Sequence, residues 1–198
     1  MSLFPEENIV FNLPDAEITY FPQFINSVDA HDLFQKLLQE TPWQQDYITV
    51  FGKTHAQPRL TCLYGNEGKP YGYSNIVMQP NPWTPLIMYI KEEVEKICNE
   101  NFTTVLLNLY RDGQDSNGWH ADNEKELGRN PIIASVSFGA ERIFQLKHNT
   151  LDNKQNITLQ NGSLLIMKGT TQHFWKHQIP KTKTKIGPRI NLTFRIIK

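Results

Sequence analysis

"RINLTFRII", residues 189–197, alternates charged or polar residues with apolar ones along most of its length. On an extended chain Arg189, Asn191, Thr193 and Arg195 fall on one side and Ile190, Leu192, Phe194 and Ile196 on the other. A period of two predicts a strand with one face in an apolar core and the other polar and doubly cationic. Two arginines turned into one barrel require anions. Their Cα atoms stand about 20 Å apart in an ideal strand, and long side chains bending inward reach opposite ends of one dicarboxylate. The guanidinium fork suits this because it holds a carboxylate bidentately. The alternative is an outer strand face with both arginines in solvent.

The same period runs through the second half of the chain. "TTVLLNLYR", "IIASVSF", "ERIFQLK", "NITLQ", "GSLLIMK" and "QHFWKHQ" are short, β-branched or aromatic, with Gly113, Gly118, Gly139, Gly162 and Gly169 between them. "VFGK" and "PRLTCLYG" add strand and hairpin material earlier. Two stretches have helical spacing instead. Residues 30–40 place Ala30, Leu33, Phe34, Leu37 and Leu38 on one face, with Asp29 or Ser27 as the cap. Residues 85–99 place Leu86, Ile87, Ile90, Val94 and Ile97 together, behind a Thr84 cap and Pro85 at the first helical position. Many short strands behind two helices predict a mainly β fold of the α+β class, an antiparallel sandwich or barrel with helices on one outer face.

The bulk composition agrees. The 198 residues are 39% hydrophobic and 20% charged, which fits one globular domain. No apolar run approaches the roughly 20 residues that cross a bilayer, and "MSLFPEENIV" lacks the basic-then-apolar pattern of a secretory signal. Cys62 and Cys98 lie far apart without a CxxC and are read as free thiols in a reducing compartment. The net charge of zero hides an asymmetry. Residues 1–50 carry eight acids against Lys36, and residues 168–198 carry eight Lys or Arg and no acid. That basic end, with Lys181, Lys183 and Lys185, suits an anionic partner or is a solvated loop.

"GWHADNE", residues 118–124, sets His120 and Asp122 on one side of an extended segment, where imidazole and carboxylate converge on one ion. A non-haem iron centre needs a second histidine. His31 lies in the first helix and His55 in an early loop, and His148 follows "ERIFQLK" and is expected to face solvent. His173 and His177 share a face of "QHFWKHQIP" about 13 Å apart, so one of them reaches the ion and spacing does not choose. "LLNLYR" puts Asn108 and Tyr110 on one face as further donors for the same cavity.

Together, HxD, a distal histidine and RxNxTxR resemble the AlkB family of iron(II)- and 2-oxoglutarate-dependent dioxygenases. "NLYRDGQDSNGWHADNE", "PIIASVSFGAERIF", "GSLLIMKGTTQHFWKHQIP" and "PRINLTFR" follow the family in order from about residue 48 onward. The likeness is greatest to the subgroup containing the human nuclear DNA-repair homologue that prefers duplex DNA, through "VFGK", "PR", "LYG" and "PRINLTFR".

The resemblance implies a double-stranded β-helix, or jelly roll, with the N-terminal helices packed outside. It implies a single domain over residues 1–198: an N-terminal extension (1–47), substrate-recognition hairpins and a helix (48–99), and a jelly-roll core (100–198). It selects His177, in "WKHQI", and so implies His120, Asp122 and His177 as iron ligands and catalytic centre. Arg189, Tyr110, Asn108, Asn191 and Arg195 would hold 2-oxoglutarate, Arg195 near Asp122. Phe51 would be a finger filling the stack, Tyr73 would stack on a flipped base, and Tyr71, Arg59 and Glu124 would contact base or backbone. The cofactors implied are iron(II), 2-oxoglutarate and O2. The implied reaction is oxidative dealkylation of 1-methyladenine, 3-methylcytosine and etheno adducts in single- or double-stranded DNA, a repair reaction releasing formaldehyde and succinate. The alternatives are RNA demethylation and a 2-oxoglutarate oxygenase acting on a protein or small molecule. The protein implied is an intracellular monomer with no membrane partner, cytoplasmic in a bacterium and nuclear in a eukaryote. Ala121, Asn123, Tyr73 and the short loop "KHNTLDNKQN" depart from the subgroup's pattern, which leaves single strands and RNA open.

Overall fold

Residues 189–195 are buried on both faces, as a central strand flanked by two packed layers must be. The computed structural model describes residues 7–50, 52–68, 71–73 and 76–198, with all their side chains except those of Thr49, Val50, Tyr71, Tyr73, Ile76 and Val77. In chain order come β1 (Ile9–Phe11), β2 (Glu17–Phe21), α1 (Ser27–Glu40), β3 (Tyr47–Val50), β4 (Lys53–Ala56), β5 (Leu60–Gly65), β6 (Tyr71–Tyr73) and β7 (Ile76–Met78). They are followed by α2 (Pro85–Cys98), β8 (Thr104–Tyr110), β9 (Asn117–His120), β10 (Ile133–Gly139), β11 (Arg142–His148), β12 (Lys154–Leu159), β13 (Ser163–Lys168), α3 (Thr171–Phe174), β14 (Trp175–Ile179) and β15 (Arg189–Arg195).

Seven strands form one antiparallel sheet in the order β1-β2-β13-β10-β15-β8-β5, and four form a second in the order β12-β11-β14-β9. The hairpins β3–β4 and β6–β7 stand apart as two-stranded sheets. The large sheet has two apolar faces. Val136, Phe138, Ile190, Leu192 and Phe194 pack against α1 and α2, and Leu106, Ile133, Leu165 and Met167 pack against Phe144, Leu146, Ile157 and Trp175 of the second sheet. This is a jelly roll with both main helices on its outside, as expected. The interior between the sheets lies on the polar face of β15.

Local sequence explains the helices. α1 presents Ala30, Leu33, Phe34 and Leu37 at i, i+3, i+4 and i+7. Its cap is Asn26 rather than Ser27 or Asp29: the Asn26 side-chain oxygen accepts from the amides of Val28 and Asp29, both at 3.1 Å. α2 starts on Thr84 and Pro85 as expected and ends at Asn99, which takes the left-handed conformation at φ 54°. At Gly139 (φ +85°) a Cβ would meet the Pro188 carbonyl oxygen at 2.5 Å, so the residue preceding Arg189 packs directly on the end of β10.

Three expectations are corrected. The acidic N-terminal stretch supplies β1 and β2, and β2 pairs with β13, so the large sheet draws strands from all three stretches of the chain. "QHFWKHQ" is not one strand, because residues 171–174 close a short helix and β14 begins at Trp175. His148 is buried, its Nδ1 accepting from the amides of Thr150 and Leu151 at 3.2 and 3.0 Å. Cys62 and Cys98 are free, and burial pushes their thiols up to about 11 and about 12. Among the described residues no helix is long and apolar enough to cross a membrane.

Candidate metal and anion site

β9 and β14 are antiparallel neighbours, and in their register His120 stands directly opposite His177. Directly opposed residues on one face meet, so the two imidazoles lie 4.2 Å apart, centroid to centroid. Asp122 follows two residues after His120. One ligand atom from each of the three lies within 4.8 Å of the others, the scale of a single coordination sphere. The break after Phe174 decides between the distal histidines. His173 lies on the short helix, exposed, with its Nε2 2.9 Å from Asn130 Oδ1.

Each member of the cluster is held from behind. His120 Nδ1 is 2.7 Å from the Gly118 carbonyl oxygen, which fixes the proton there and leaves Nε2 as an acceptor, 3.3 Å from the donating Asn117 Nδ2. Arg195 Nη2 donates to Asp122 Oδ1 at 2.9 Å, leaving Oδ2 facing His177. The Asp122 backbone amide donates to the buried Gln172 side chain at 2.9 Å. Phe144 stacks on His177 at 5.0 Å. Gln172, Phe144 and Asn117 were missed from the sequence; only Phe144 left a signal, on the inward face of "ERIFQLK".

Charge is arranged to match. Burial pushes the Asp122 carboxyl up, but the Arg195 guanidinium, with His177 and His120, outweighs this and holds it at about 2. Burial, with His120 beside it, drives His177 down to about 3, so its 3.9 Å approach to Asp122 is no ion pair at neutral pH. The cluster therefore sets one neutral imidazole, that of His177, and one carboxylate beside the His120 ring. The metal-free protein should lose stability as pH falls below about 6.5, because the unfolded chain protonates His177 there and the folded one does not until about pH 3. Asp122 adds to the loss below its ordinary 3.8. Unfolding free energy measured against pH should slope downward towards acid, and His177→Leu should flatten the upper part of that slope; an unchanged slope refutes this account.

Next to the cluster lies a cavity of about 220 Å³, bordered by His120, Asp122, His177, Asn108, Tyr110 and Arg189 among others. Cross-strand register builds its wall: Arg189 faces Tyr110, and Asn191 faces Asn108. Arg189 is buried, donates from Nη2 to Ser137 Oγ at 2.9 Å, and has its carbon 5.2 Å from the Tyr110 ring centre. Its Nε and Nη1 have no hydrogen-bond partner among the described residues. Burial lowers this guanidinium to about 10, so it stays cationic at neutral pH. A buried cation with two unsatisfied nitrogens is costly unless an anion meets it.

The other expected residues divide. Asn191 borders the cavity, but its amide is engaged by Ser135, the Val136 carbonyl and Thr193 at 2.7–3.1 Å, so it braces the wall. Arg195 borders the cavity and, as expected, lies beside Asp122, to which its Nη2 donates at 2.9 Å. Arg59 is buried; its Nε donates to Asn108 Oδ1 at 2.8 Å and its Nη1 to the Ser116 carbonyl at 3.3 Å. Glu124 borders the cavity. Tyr71 and Tyr73 belong to β6, but their side chains, like all of Phe51, lie outside the described residues. Ser135 and Ser137 were missed, although "IIASVSF" sets them on one face.

Residues 17–195 match the pattern of the 2OG-Fe(II) oxygenase superfamily. The chain is 42% identical over 192 residues to the cattle alpha-ketoglutarate-dependent dioxygenase alkB homolog 3, covering 92% of this chain and 66% of that protein. It is 38% identical over 180 residues to the human DNA oxidative demethylase ALKBH2, covering 85% of this chain and 69% of that one. The chain belongs to the AlkB family of 2OG-Fe(II) oxygenases.

A solved structure agrees in fold: OsALKBH1 superposes with a TM-score of 0.69 over 95% of this chain and 100% of that one, at 17% identity. The chain spans 66% of the length of its cattle and human homolog 3 relatives. The family's cofactors are iron(II), 2-oxoglutarate and O2. The residues present fit them. Two imidazoles and a carboxylate on one side are the donor set of non-haem iron(II), and they leave other coordination positions open. The unsatisfied Arg189 N–H groups suit a carboxylate of the keto-acid.

Proposed function

We propose that the protein is a 2-oxoglutarate-dependent dioxygenase that removes N-linked alkyl groups from nucleic-acid bases, with 1-methyladenine and 3-methylcytosine in DNA as its substrates and etheno adducts within reach. The observation that carries this reading is the His120–Asp122–His177 cluster bordering the same cavity as the unsatisfied Arg189 guanidinium. Bound iron(II), with 2-oxoglutarate and O2, supplies oxidation of an N-alkyl carbon, from which formaldehyde leaves while the keto-acid becomes succinate and CO2.

The chain's own residues prepare that chemistry. His120, Asp122 and His177 would hold the metal, and Arg195 engages Asp122 Oδ1 while Oδ2 lies on the side of His177. Arg189, Tyr110 and Asn108 grip the distal carboxylate of the co-substrate. A low-dielectric pocket strengthens that grip and orients the co-substrate before reaction. A base in a duplex must leave the stack to reach this depth. Phe51, Tyr71, Tyr73, Arg59 and Glu124 are its proposed contacts. The demethylase name of the ALKBH2 relatives supports nucleic acid over a protein or small-molecule substrate.

The test is direct. Protein, iron(II), ascorbate and 2-oxoglutarate are incubated with oligonucleotides carrying 1-methyladenine, 3-methylcytosine or etheno-adenine, as single- and double-stranded DNA and as RNA. Loss of one CH2 from the base, matched by formaldehyde and succinate, is expected on methylated DNA. Succinate without repaired base on any of them would retain the oxygenase and remove the nucleic-acid substrate.

A further inference from the structure

The second sheet has an outer face that the proposed chemistry does not use. β11, β12 and β14 alternate inward and outward residues, so Lys176 beside His177 points away from the cavity, and Trp119 beside His120 is exposed and meets the outward Lys147. On that outer face Lys154, Lys147 and Lys176 stand directly opposite one another across β12, β11 and β14. The Lys147 ammonium sits 4.3 Å from the centre of the Trp119 ring, which is itself exposed. The adjacent row holds Gln145 and Gln178, the Gln178 Nε2 donating to Gln145 Oε1 at 2.7 Å. None of the outward positions on these four strands is Asp or Glu. Asp152, in the loop before β12, pairs with Lys154 at 3.5 Å, with both side chains largely in solvent, a weak contact.

Like charges directly opposed across a sheet destabilise it, and here three lie in one row with no compensating acid between them. Such a row is favoured when a polyanion neutralises it. An indole flanking the row, held flat by a cation, is a stacking platform for a base. We propose that this outer face binds a single-stranded segment of nucleic acid, phosphates along the lysine row and a base on Trp119, outside the catalytic cavity. The inference rests on the nucleic-acid reading given above. It places one strand on the far side of the sheet layer that carries His120 and His177.

Binding of a labelled, unmodified single-stranded oligonucleotide of about 16 nucleotides, read by fluorescence anisotropy at several salt concentrations, tests it. The triple change Lys147→Gln, Lys154→Gln and Lys176→Gln should weaken binding at least tenfold and lower the slope of log affinity against log salt by about 2, from about 0.7 per single-strand phosphate contact. Trp119→Ala should weaken it several-fold and abolish oligonucleotide quenching of indole fluorescence, while Trp119→Phe restores part of the affinity. Affinity for 2-oxoglutarate, measured with manganese(II), reports that each variant is folded. Wild-type protein that binds oligonucleotide, with variants that keep its affinity and salt slope, overturns the outer-face site alone. Wild-type protein that binds no oligonucleotide at all overturns the nucleic-acid reading with it. An equal loss of binding to polyglutamate, with no Trp119 quenching by oligonucleotide, assigns the face to an acidic polypeptide and overturns the proposal.

Discussion

His177→Ala is expected to abolish tight metal binding and succinate formation, while His173→Ala leaves both close to wild type. Loss of a partner behind a metal ligand costs 10–100-fold in affinity or activity, so loss of the ligand itself should exceed about 100-fold. His177 is buried against Phe144 and directly opposite His120, and no other histidine among the described residues joins the cluster. His173 is exposed on the short helix and bonds to Asn130; surface changes of that kind cost about 0.5 kcal/mol or less. Titration calorimetry with manganese(II), alongside succinate release with iron(II), separates the two. A His173→Ala protein that loses metal while His177→Ala keeps it would reverse the assignment.

That choice between two histidines marks where sequence reading stopped. Period-two alternation is a property of one strand, and it set Arg189, Asn191, Thr193 and Arg195 on the correct face because β15 is central and regular. It also placed Asn108 and Tyr110, since β8 is another unbroken central strand. The same rule put His173 and His177 together because it cannot see that residues 171–174 coil. His148 shows a different failure. Phe144, Leu146 and His148 share a face, and carrying the alternation one step further would have buried it. The meeting of His120 with His177 depends on register between strands distant in sequence, which no local pattern specifies.

The residues that brace the site were less legible still. Gln172 reads as an ordinary polar residue in a loop, yet it is buried and holds the amide of Asp122. Its role arises only when the end of β13 folds back on the segment after β9. The N-terminal strands are short and flanked by acids, so the pairing of β1 with β2 and of β2 with β13 left no periodic signal long enough to read.

Arg189→Met tests the other half of the site, and its expected effects on the free and liganded protein have opposite signs. Methionine keeps much of the side-chain volume but removes a buried cation with two unsatisfied nitrogens. Replacing a desolvated charge by an apolar side chain is often neutral or stabilising, so the ligand-free variant should melt at the wild-type temperature or a few degrees above it, at about 2–4 °C per kcal/mol. Binding of 2-oxoglutarate should suffer instead. Removing one member of a buried charge pair costs about 2–5 kcal/mol, which is roughly 30- to several-thousand-fold in Kd. Wild-type protein with manganese(II) and the keto-acid at about 100 times its Kd gains about 2.7 kcal/mol, so its melting temperature should rise by about 5–10 °C, and the variant should show almost none of that rise. Arg189→Lys should recover a fraction, since an ammonium keeps the charge and loses the fork. A Met variant that binds the keto-acid normally would mean that its distal carboxylate sits elsewhere. In that case the orphaned N–H groups of Arg189 would no longer identify the anion site, and the cavity beside the His120–Asp122–His177 cluster would need another occupant.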